Sequence, residues 1–315
     1  MTRRHRLAAV LASVLATSAA GLVVTPPAHA AAPSYVALGD SYSSGVGTRT
    51  YLADGTRCQR SVYAFPSLIA AAKGYALNFR ACSGAKISDV TASQLSALGA
   101  STSYVTISVG GNDAGFTSVL TTCAQPSWLS NCSGAISKAR SFITNTLPGS
   151  LSTLYAAIAS RAPSAKVVVV GYPRLFNGED CNALTWFSPS EESSLNGTAD
   201  LLNSTLSAAA AARGFAFANP TNAFLGHAVC GDPEWLNGLS NPVSESYHPN
   251  RTGHASGYTT LVGPLLTGSS VSVTAAVLTK ARAQGPALAV QQRHYAAADR
   301  GIESETFRIP VVPAR

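Results

Sequence analysis

The chain has 315 residues, of which 12% are charged, and a formal net charge of +7. Most of that charge lies at the two ends of the chain. Three arginines stand near the start, and residues 268–315 contain six basic and three acidic residues. The body between them is close to neutral and has no basic cluster interleaved with aromatic residues, which argues against nucleic-acid binding. The length suffices for one substantial domain with its own core.

The first thirty residues have the pattern of an export signal. They begin with the three arginines, continue through the weakly apolar stretch 7–24, and end on a small-residue cleavage pattern from Ala28 to Ala30. We therefore predict a signal peptide over residues 1–30 and a secreted mature protein, with the general secretory and twin-arginine routes both open. No other stretch is apolar and long enough to span a bilayer, so no transmembrane segment is expected.

The chain has six cysteines, and an even number in an exported protein favours disulfides. Fifteen pairings are open, and the simplest joins neighbours in sequence. No C-x-x-C or H-E-x-x-H motif occurs, so no metal site is expected. The cysteines are Cys58, Cys82, Cys123, Cys132, Cys181 and Cys230.

Strand-like and helix-like segments alternate along the chain. Apolar runs typical of strands are Tyr35–Leu38, Tyr75–Phe79, Tyr104–Val109, Lys166–Val170 and Phe215–Ala218. Helical patterns fall between them, near Phe65–Ala72, Val90–Leu98, Leu151–Ile158 and Leu195–Leu206. This alternation predicts a three-layer α/β/α sandwich with a mostly parallel, five-stranded sheet, in a domain of residues 31–267.

The character of the chain changes at Gly268-Ser269-Ser270. Beyond it the apolar residues are scattered and the bias is polar and basic. We predict that residues 268–315 are a C-terminal extension, either a poorly packed tail or a small addition over the domain. No chemistry is assigned to it.

Three of the predicted strands end in polar, glycine-rich turns, which should converge on one edge of a parallel sheet, where ligands bind. These turns are Gly39-Asp40-Ser41, Cys82-Ser83-Gly84 and Gly110-Gly111-Asn112. Ser41 is a candidate nucleophile whose own amide would help to hold an oxyanion. The alternative is that Asp40 or Ser41 caps the next helix. The Asn112 amide and the Gly84 N–H are further candidate oxyanion donors, or parts of ordinary turns.

A nucleophilic serine needs a base within hydrogen-bond reach. Beyond residue 30 the histidines are His227, His248, His254 and His294. His248 stands in a loop before a proline and close to Glu245, as a fixed base requires, and it is the candidate. His227 and His254 are expected to be structural.

Four sequence blocks, G-D-S-Y-S-S-G, C-S-G-A, V-G-G-N-D and Y-H-P-N, occur in this order between residues 35 and 266. They resemble the blocks of the SGNH hydrolases, also called GDSL lipases and esterases. The signal and the six cysteines resemble the actinobacterial secreted branch, whose disulfides join sequential cysteines. The resemblance implies a flavodoxin-like sandwich with Ser41 as nucleophile and His248 as base. It also implies an oxyanion hole from the Ser41 and Gly84 amides and the Asn112 side chain.

The chain departs from the family pattern three residues before the histidine, where Glu245 replaces the usual aspartate. Either Glu245 or a main-chain carbonyl near Ser246 could orient the His248 ring. The α/β-hydrolase alternative needs a G-x-S-x-G pentapeptide, which this chain lacks.

The sequence therefore predicts a secreted, monomeric ester hydrolase that acts on lipids or simple acyl esters without a metal or cofactor. A carbohydrate acetyl esterase would use the same residues, and a binding module without catalytic activity is an alternative of another class. Several apolar residues could line an acyl groove or belong to the core: Trp128, Leu129, Trp186 and Phe187.

Overall fold

The computed structural model describes residues 31–304 and 306–311; the predicted signal peptide lies outside them. A sheet of five parallel strands forms the centre of the fold, in the order β2-β1-β3-β4-β5. The strands are β1 Ser34–Gly39, β2 Ala76–Phe79, β3 Tyr104–Ser108, β4 Lys166–Val170 and β5 Ala216–Ala218. They agree with the predicted strands to within one residue at each end.

Helices cover both faces of the sheet. The α-helices are α1 Ser41–Ser44, α2 Phe65–Lys73, α3 Ile87–Asp89, α4 Phe116–Cys123, α5 Cys132–Asn145, α6 Leu147–Arg161, α7 Pro189–Ala211, α8 Thr259–Thr267, α9 Ala275–Arg293 and α10 Ala296–Asp299. One layer contains α2, α8 and α9, and the other contains α4 to α7. The predicted three-layer α/β/α sandwich is confirmed.

The core follows from residue types that suit each element. In β4, Val167 to Val170 are buried, as expected for β-branched residues in a central strand covered on both faces. The predicted apolar stripe of α6, which includes Leu151 and Ile158, is also buried. At the start of α7, Ser188 and Glu191 form a capping box that fixes where the helix begins.

Several helices were not predicted, and one predicted helix is irregular. Among the missed helices, α4 and α5 are rich in Ser and Thr, residues with weaker helix propensity. Helix α9 was also missed, since it lies in the extension to which no element was assigned. The predicted helix Val90–Leu98 is instead a π-helical turn at Val90–Gln94 followed by a 3₁₀ turn at Leu95–Ala97. A second π-helical segment, Gly253–Tyr258, leads into α8.

The direction in which strands are added to the sheet reverses between β1 and β3. After β1 the chain adds β2 on one side, and β3 then pairs with the other side of β1. Loops leaving β1 and β3 therefore diverge to opposite sides, which opens a crevice beyond their carboxyl ends. In the β1–β3 pair, Gly39 lies opposite Ser108, so both strands end at the same level.

Three disulfides tie loops to this framework. They join Cys58 to Cys82, Cys123 to Cys132, and Cys181 to Cys230, which is the pairing that the family resemblance implies. The first joins the loop before α2 to the turn after β2. The third spans 49 residues, so it restricts a long segment of the unfolded chain.

The C-terminal extension packs on the domain. Helix α9 contacts α2 and β2. At the end of α10, buried Asp299 accepts hydrogen bonds from Arg60 at 2.6 Å and from Arg80 at 2.7 Å. Arg60 is also paired with buried Asp54 at 2.8 Å, so two arginines and two aspartates balance their charges inside the protein.

Replacing Asp299 with Asn should lower the free energy of unfolding by about 3–5 kcal/mol, because buried Arg80 would lose its carboxylate partner and Arg60 would keep only Asp54. Urea unfolding of both proteins measures the loss. Asp200→Asn is the matched control: Asp200 pairs with Arg174 at 2.6 Å, but both side chains are substantially exposed. Its loss should stay within about 1 kcal/mol. Equal losses in the two variants would contradict the role given to Asp299.

Candidate active site

Ser41 stands directly beyond the end of β1, where the chain turns sharply. Gly39 has φ +121°, and a Cβ there would lie 2.3 Å from the Ser108 carbonyl oxygen, so only glycine fits. Asp40 then caps α1, accepting a hydrogen bond from the Tyr42 amide at 3.0 Å. Ser41 is thereby the first residue of α1, facing the crevice at the edge of the sheet.

The structure brings Ser41 and His248 together. His248 Nε2 lies 2.8 Å from Ser41 Oγ, and His248 Nδ1 lies 2.9 Å from the Ser246 carbonyl oxygen. A carbonyl oxygen only accepts hydrogen bonds, so Nδ1 carries the proton. Nε2 then presents its lone pair to the serine hydroxyl, which is the arrangement of a nucleophile and its base.

The loop that carries His248 is held by backbone pairing. The Asn237 amide donates to the His248 carbonyl, and the Tyr247 amide donates to the Asn237 carbonyl, both at 2.9 Å. The Tyr42 hydroxyl donates to the Tyr247 carbonyl at 2.8 Å. Because Tyr42 follows Ser41 directly, this bond links the nucleophile turn to the histidine loop.

Glu245 makes its contacts elsewhere. Its Oε1 accepts a 2.6 Å hydrogen bond from the Tyr51 hydroxyl, and its Oε2 lies 3.6 Å from Arg49 Nε. The His248 ring instead donates its Nδ1–H to the Ser246 carbonyl. Of the two groups that the sequence left open, the main-chain carbonyl is therefore the one in contact with the ring.

Candidate oxyanion donors lie at the ends of β1, β2 and β3. Asn112 Nδ2 donates one hydrogen to the Ala85 carbonyl at 3.0 Å and keeps a second hydrogen available. Within the described residues, neither the Ser41 nor the Gly84 backbone N–H has an acceptor. The turn that carries Gly84 is fixed to β1, because the Cys82 amide donates to the Gly39 carbonyl at 2.9 Å.

Asp40 forms a hydrogen-bond network that the sequence analysis missed. Its carboxylate accepts from the Ser108 hydroxyl at 2.6 Å and from the Tyr172 hydroxyl at 2.5 Å, besides the Tyr42 amide. Burial raises the pKa of Asp40 to about 6, against the opposing effect of these three donors. Tyr172 follows the end of β4, and this position just beyond a strand is the signal by which the sequence could have identified it.

His227 and His254, which were expected to be structural, make their contacts away from the Ser41 hydroxyl. His227 stacks on Trp235 with ring centroids 3.9 Å apart. His254 is fully buried, and its Nδ1 accepts a hydrogen bond from the Phe65 amide at 3.3 Å.

A narrow apolar cavity of about 60 Å³ lies beside the site, between α4, α5 and α7. Gly111 and Tyr172 form part of its wall, next to Asn112 and Asp40. Phe116 also lines it and packs edge-on against the His248 ring. The remaining lining is mostly aliphatic and includes Leu120, Ile143 and Leu202.

The residues suggested from the sequence for an acyl groove do not line this cavity. Phe187 is a core residue packed on Phe176 and Tyr247. Trp128, Leu129 and Trp186 are all exposed by more than a third. The cavity is built instead largely from residues of α4, α5 and α7, and the first two of these helices were not predicted from the sequence.

Comparison with known proteins gives consistent matches. The model of the GDSL-like lipase/acylhydrolase family matches residues 37–256. Lipase 1 of Streptomyces coelicolor is 42% identical over 275 residues, which cover 85% of this chain and all of that protein. Crystal structures of an extracellular lipase from Streptomyces rimosus and of a phospholipase A1 from Streptomyces albidoflavus each align with a TM-score of 0.70. Each is 42% identical to this chain, and each alignment covers 76% of this chain and all of the relative. None of the helices in the described ranges has the length and apolarity to cross a membrane.

Burial lowers the pKa of His248 to about 4, and the hydrogen bond to the Ser246 carbonyl opposes this only in part. We therefore expect the folded ring to stay neutral as the pH falls from about 6.5, and to take up a proton only near the lower value. NMR titration of the imidazole measures this directly. A midpoint at or above 6.5 would contradict the desolvated environment described above.

Proposed function

Because the chain belongs to the GDSL-like lipase/acylhydrolase family and is an ester hydrolase, we propose that Ser41 and His248 are its catalytic pair and that lipid acyl esters are its substrates. The observation that carries the proposal is the continuous hydrogen-bond chain from Ser41 Oγ through the His248 ring to the Ser246 carbonyl. Its polarity leaves His248 Nε2 free to accept the serine proton.

The reaction follows from this geometry. His248 Nε2 takes the proton from Ser41 Oγ as the oxygen attacks the ester carbonyl. The Ser41 and Gly84 amides and the Asn112 side chain donate to the oxyanion that forms. His248 then returns the proton to the departing alcohol, and an acyl group remains on Ser41. A water molecule, deprotonated by His248, then attacks the acyl carbonyl. The bond between the acyl group and Ser41 Oγ breaks, the acid leaves, and His248 returns the proton to Ser41 Oγ.

Lipid esters are favoured by the apolar cavity beside the site. Its wall joins the Asn112 turn at Gly111 and the histidine ring at Phe116, so an acyl chain entering it would leave its carbonyl near Ser41. The two crystallised relatives, a lipase and a phospholipase A1, support the same substrate class.

We also propose that the protein acts outside the cell as a monomer, after loss of residues 1–30. Three disulfides suit an oxidising compartment, and the Streptomyces rimosus relative is an extracellular lipase.

Hydrolysis of p-nitrophenyl esters from acetate to palmitate tests the substrate class. The enzyme is purified from culture medium, where its N-terminus should be Ala31, and compared with Ser41→Ala. We expect the rates to peak at medium or long chains and to vanish in the variant. Activity on acetate alone would favour the carbohydrate esterase, and full activity in Ser41→Ala would refute the nucleophile.

Asn112→Ala should lower kcat by about 10²–10³, the usual cost of removing one oxyanion donor. Glu245→Gln is the comparison, because Glu245 binds Tyr51 rather than the His248 ring. Its loss should stay below about tenfold, whereas removing an acid that orients the histidine costs about 10⁴. Thermal melting of both variants checks that the fold is intact.

Two results would contradict these roles. Asn112→Ala within tenfold of the parent would remove Asn112 from the oxyanion hole. A loss of several orders of magnitude in folded Glu245→Gln would show that the carboxylate, and not the Ser246 carbonyl, supports the base.

A further inference from the structure

The chain beyond α10 lies across the face that carries the candidate active site. We call residues 302–304 and 306–308 the C-terminal strap. A Cβ added to Gly84 would lie 2.2 Å from the Glu303 carbonyl oxygen and 2.7 Å from Ser304 Cα. Ser304 Oγ also donates to the Ser83 carbonyl at 3.4 Å. The strap backbone is therefore in direct contact with the turn that presents the Gly84 amide.

The other end of the strap contacts the histidine loop. Phe307 is buried, and its ring packs edge-on against Tyr247 with centroids 5.0 Å apart. The Arg308 amide donates to Thr121 Oγ1 of α4 at 3.2 Å. Tyr247 directly precedes His248, so the strap extends from one side of the catalytic pair to the other.

Access to the catalytic pair is restricted in this arrangement. Ser41 is only 7% exposed and His248 only 8%. An ester must bring its carbonyl carbon to Ser41 Oγ while its alcohol and acyl parts extend away from the reacting bond. The strap occupies part of the surface, between Gly84 and Tyr247, on which these parts of the ester would lie.

The strap is anchored more firmly at its start than beyond it. Asp299, just before it, is held by two buried arginines, and Ile302 is buried. Farther along, a groove of about 600 Å³ lies between the strap and α4, and the Arg308 amide is bonded across it to Thr121. Such a segment can lift from the site while the extension stays attached.

The strap also lies outside residues 37–256, over which the family model matches. A strap over the site is therefore not part of the framework that the family match covers.

We propose that the C-terminal strap is an autoinhibitory element, which competes with the ester for the surface between the Gly84 turn and the histidine loop. The proposal rests on the proposed function of Ser41 and His248. If the strap covers the site in nine of ten molecules, it lowers kcat/KM about tenfold relative to a chain without it. Arg300 and Gly301 are exposed between the Asp299 anchor and the strap, so a cut there would remove the inhibition and leave the anchor in place.

The test compares the mature protein with a form that ends at Arg300, which retains Asp299 and its two arginines. We expect kcat/KM for p-nitrophenyl butyrate and palmitate to rise about tenfold in the shorter form. The rate at which a fluorophosphonate labels Ser41 should rise by a similar factor. Phe307→Ala in the full chain should give a smaller rise, because it removes the contact with Tyr247. Val311→Ala is the matched control and should change nothing, since Val311 is 87% exposed.

Equal or lower kcat/KM and labelling in the shortened form would overturn the proposal, because the strap would then be neutral or part of the substrate site. If that form does not fold, Phe307→Ala decides alone: no rise over Val311→Ala overturns it. Both proteins are also compared as Ser41→Ala variants. If neither serine-containing form hydrolyses any ester, the proposed function fails and autoinhibition falls with it. If hydrolysis depends on Ser41 but is the same with and without the strap, only the proposal of autoinhibition is overturned.

Discussion

The candidate site depends on the close contact between Gly39 and Ser108 at the ends of β1 and β3. The Asp40 amide donates to the Ser108 carbonyl at 3.0 Å, and no side chain separates the two backbones. This contact fixes where the chain leaves β1, and hence where Ser41 begins α1. It also sets the Ser108 hydroxyl against the Asp40 carboxylate, so that the turn after β1 and the strand leading to Asn112 are held as one unit.

Burial then gives the groups of this unit their chemical character. His248 and Asp40 are both removed from water, and burial shifts the pKa of each in the direction that disfavours its charged form. The rings of Tyr42 and Phe116 pack around the imidazole, and its Nδ1 is bound to a neutral carbonyl in place of a carboxylate. A neutral partner fixes the tautomer and the orientation of the ring. It stabilises the positive charge that develops on the ring during the reaction less than a carboxylate would.

Much of the fold could be predicted from the sequence because its signals are local. The run Lys166–Val170 forms β4 with the predicted bounds, and the stripe of α6 repeats at helical spacing. The meeting of Ser41 and His248 was predicted through the family resemblance, since no local pattern relates residues 207 positions apart. The helices α4 and α5 were missed because their composition is typical of loops, and the walls of the apolar cavity were missed with them.

Other parts of the site needed three-dimensional contacts. The residue types alone do not show whether Glu245 or the Ser246 carbonyl contacts the His248 ring. The answer depends on the position of Tyr51, whose hydroxyl binds the Glu245 carboxylate. The partners of Asp40 come from the ends of two other strands. The position of the strap is equally non-local: it follows from the pairing of Asp299 with Arg60 and Arg80, more than 200 residues earlier in the chain.

The disulfide between Cys58 and Cys82 has a consequence for where the protein can become competent. Cys82 lies two residues before Gly84, and the Ser83 amide donates to the Cys58 carbonyl at 3.0 Å, so the bond braces the turn that offers one of the candidate oxyanion donors. In a reducing cytoplasm this brace is missing and the turn keeps only its hydrogen bonds. For a protein exported as proposed, oxidation would then do more than stabilise the folded chain. It would complete the brace behind the candidate oxyanion hole, so that the site is fully supported only once the chain has left the cytoplasm.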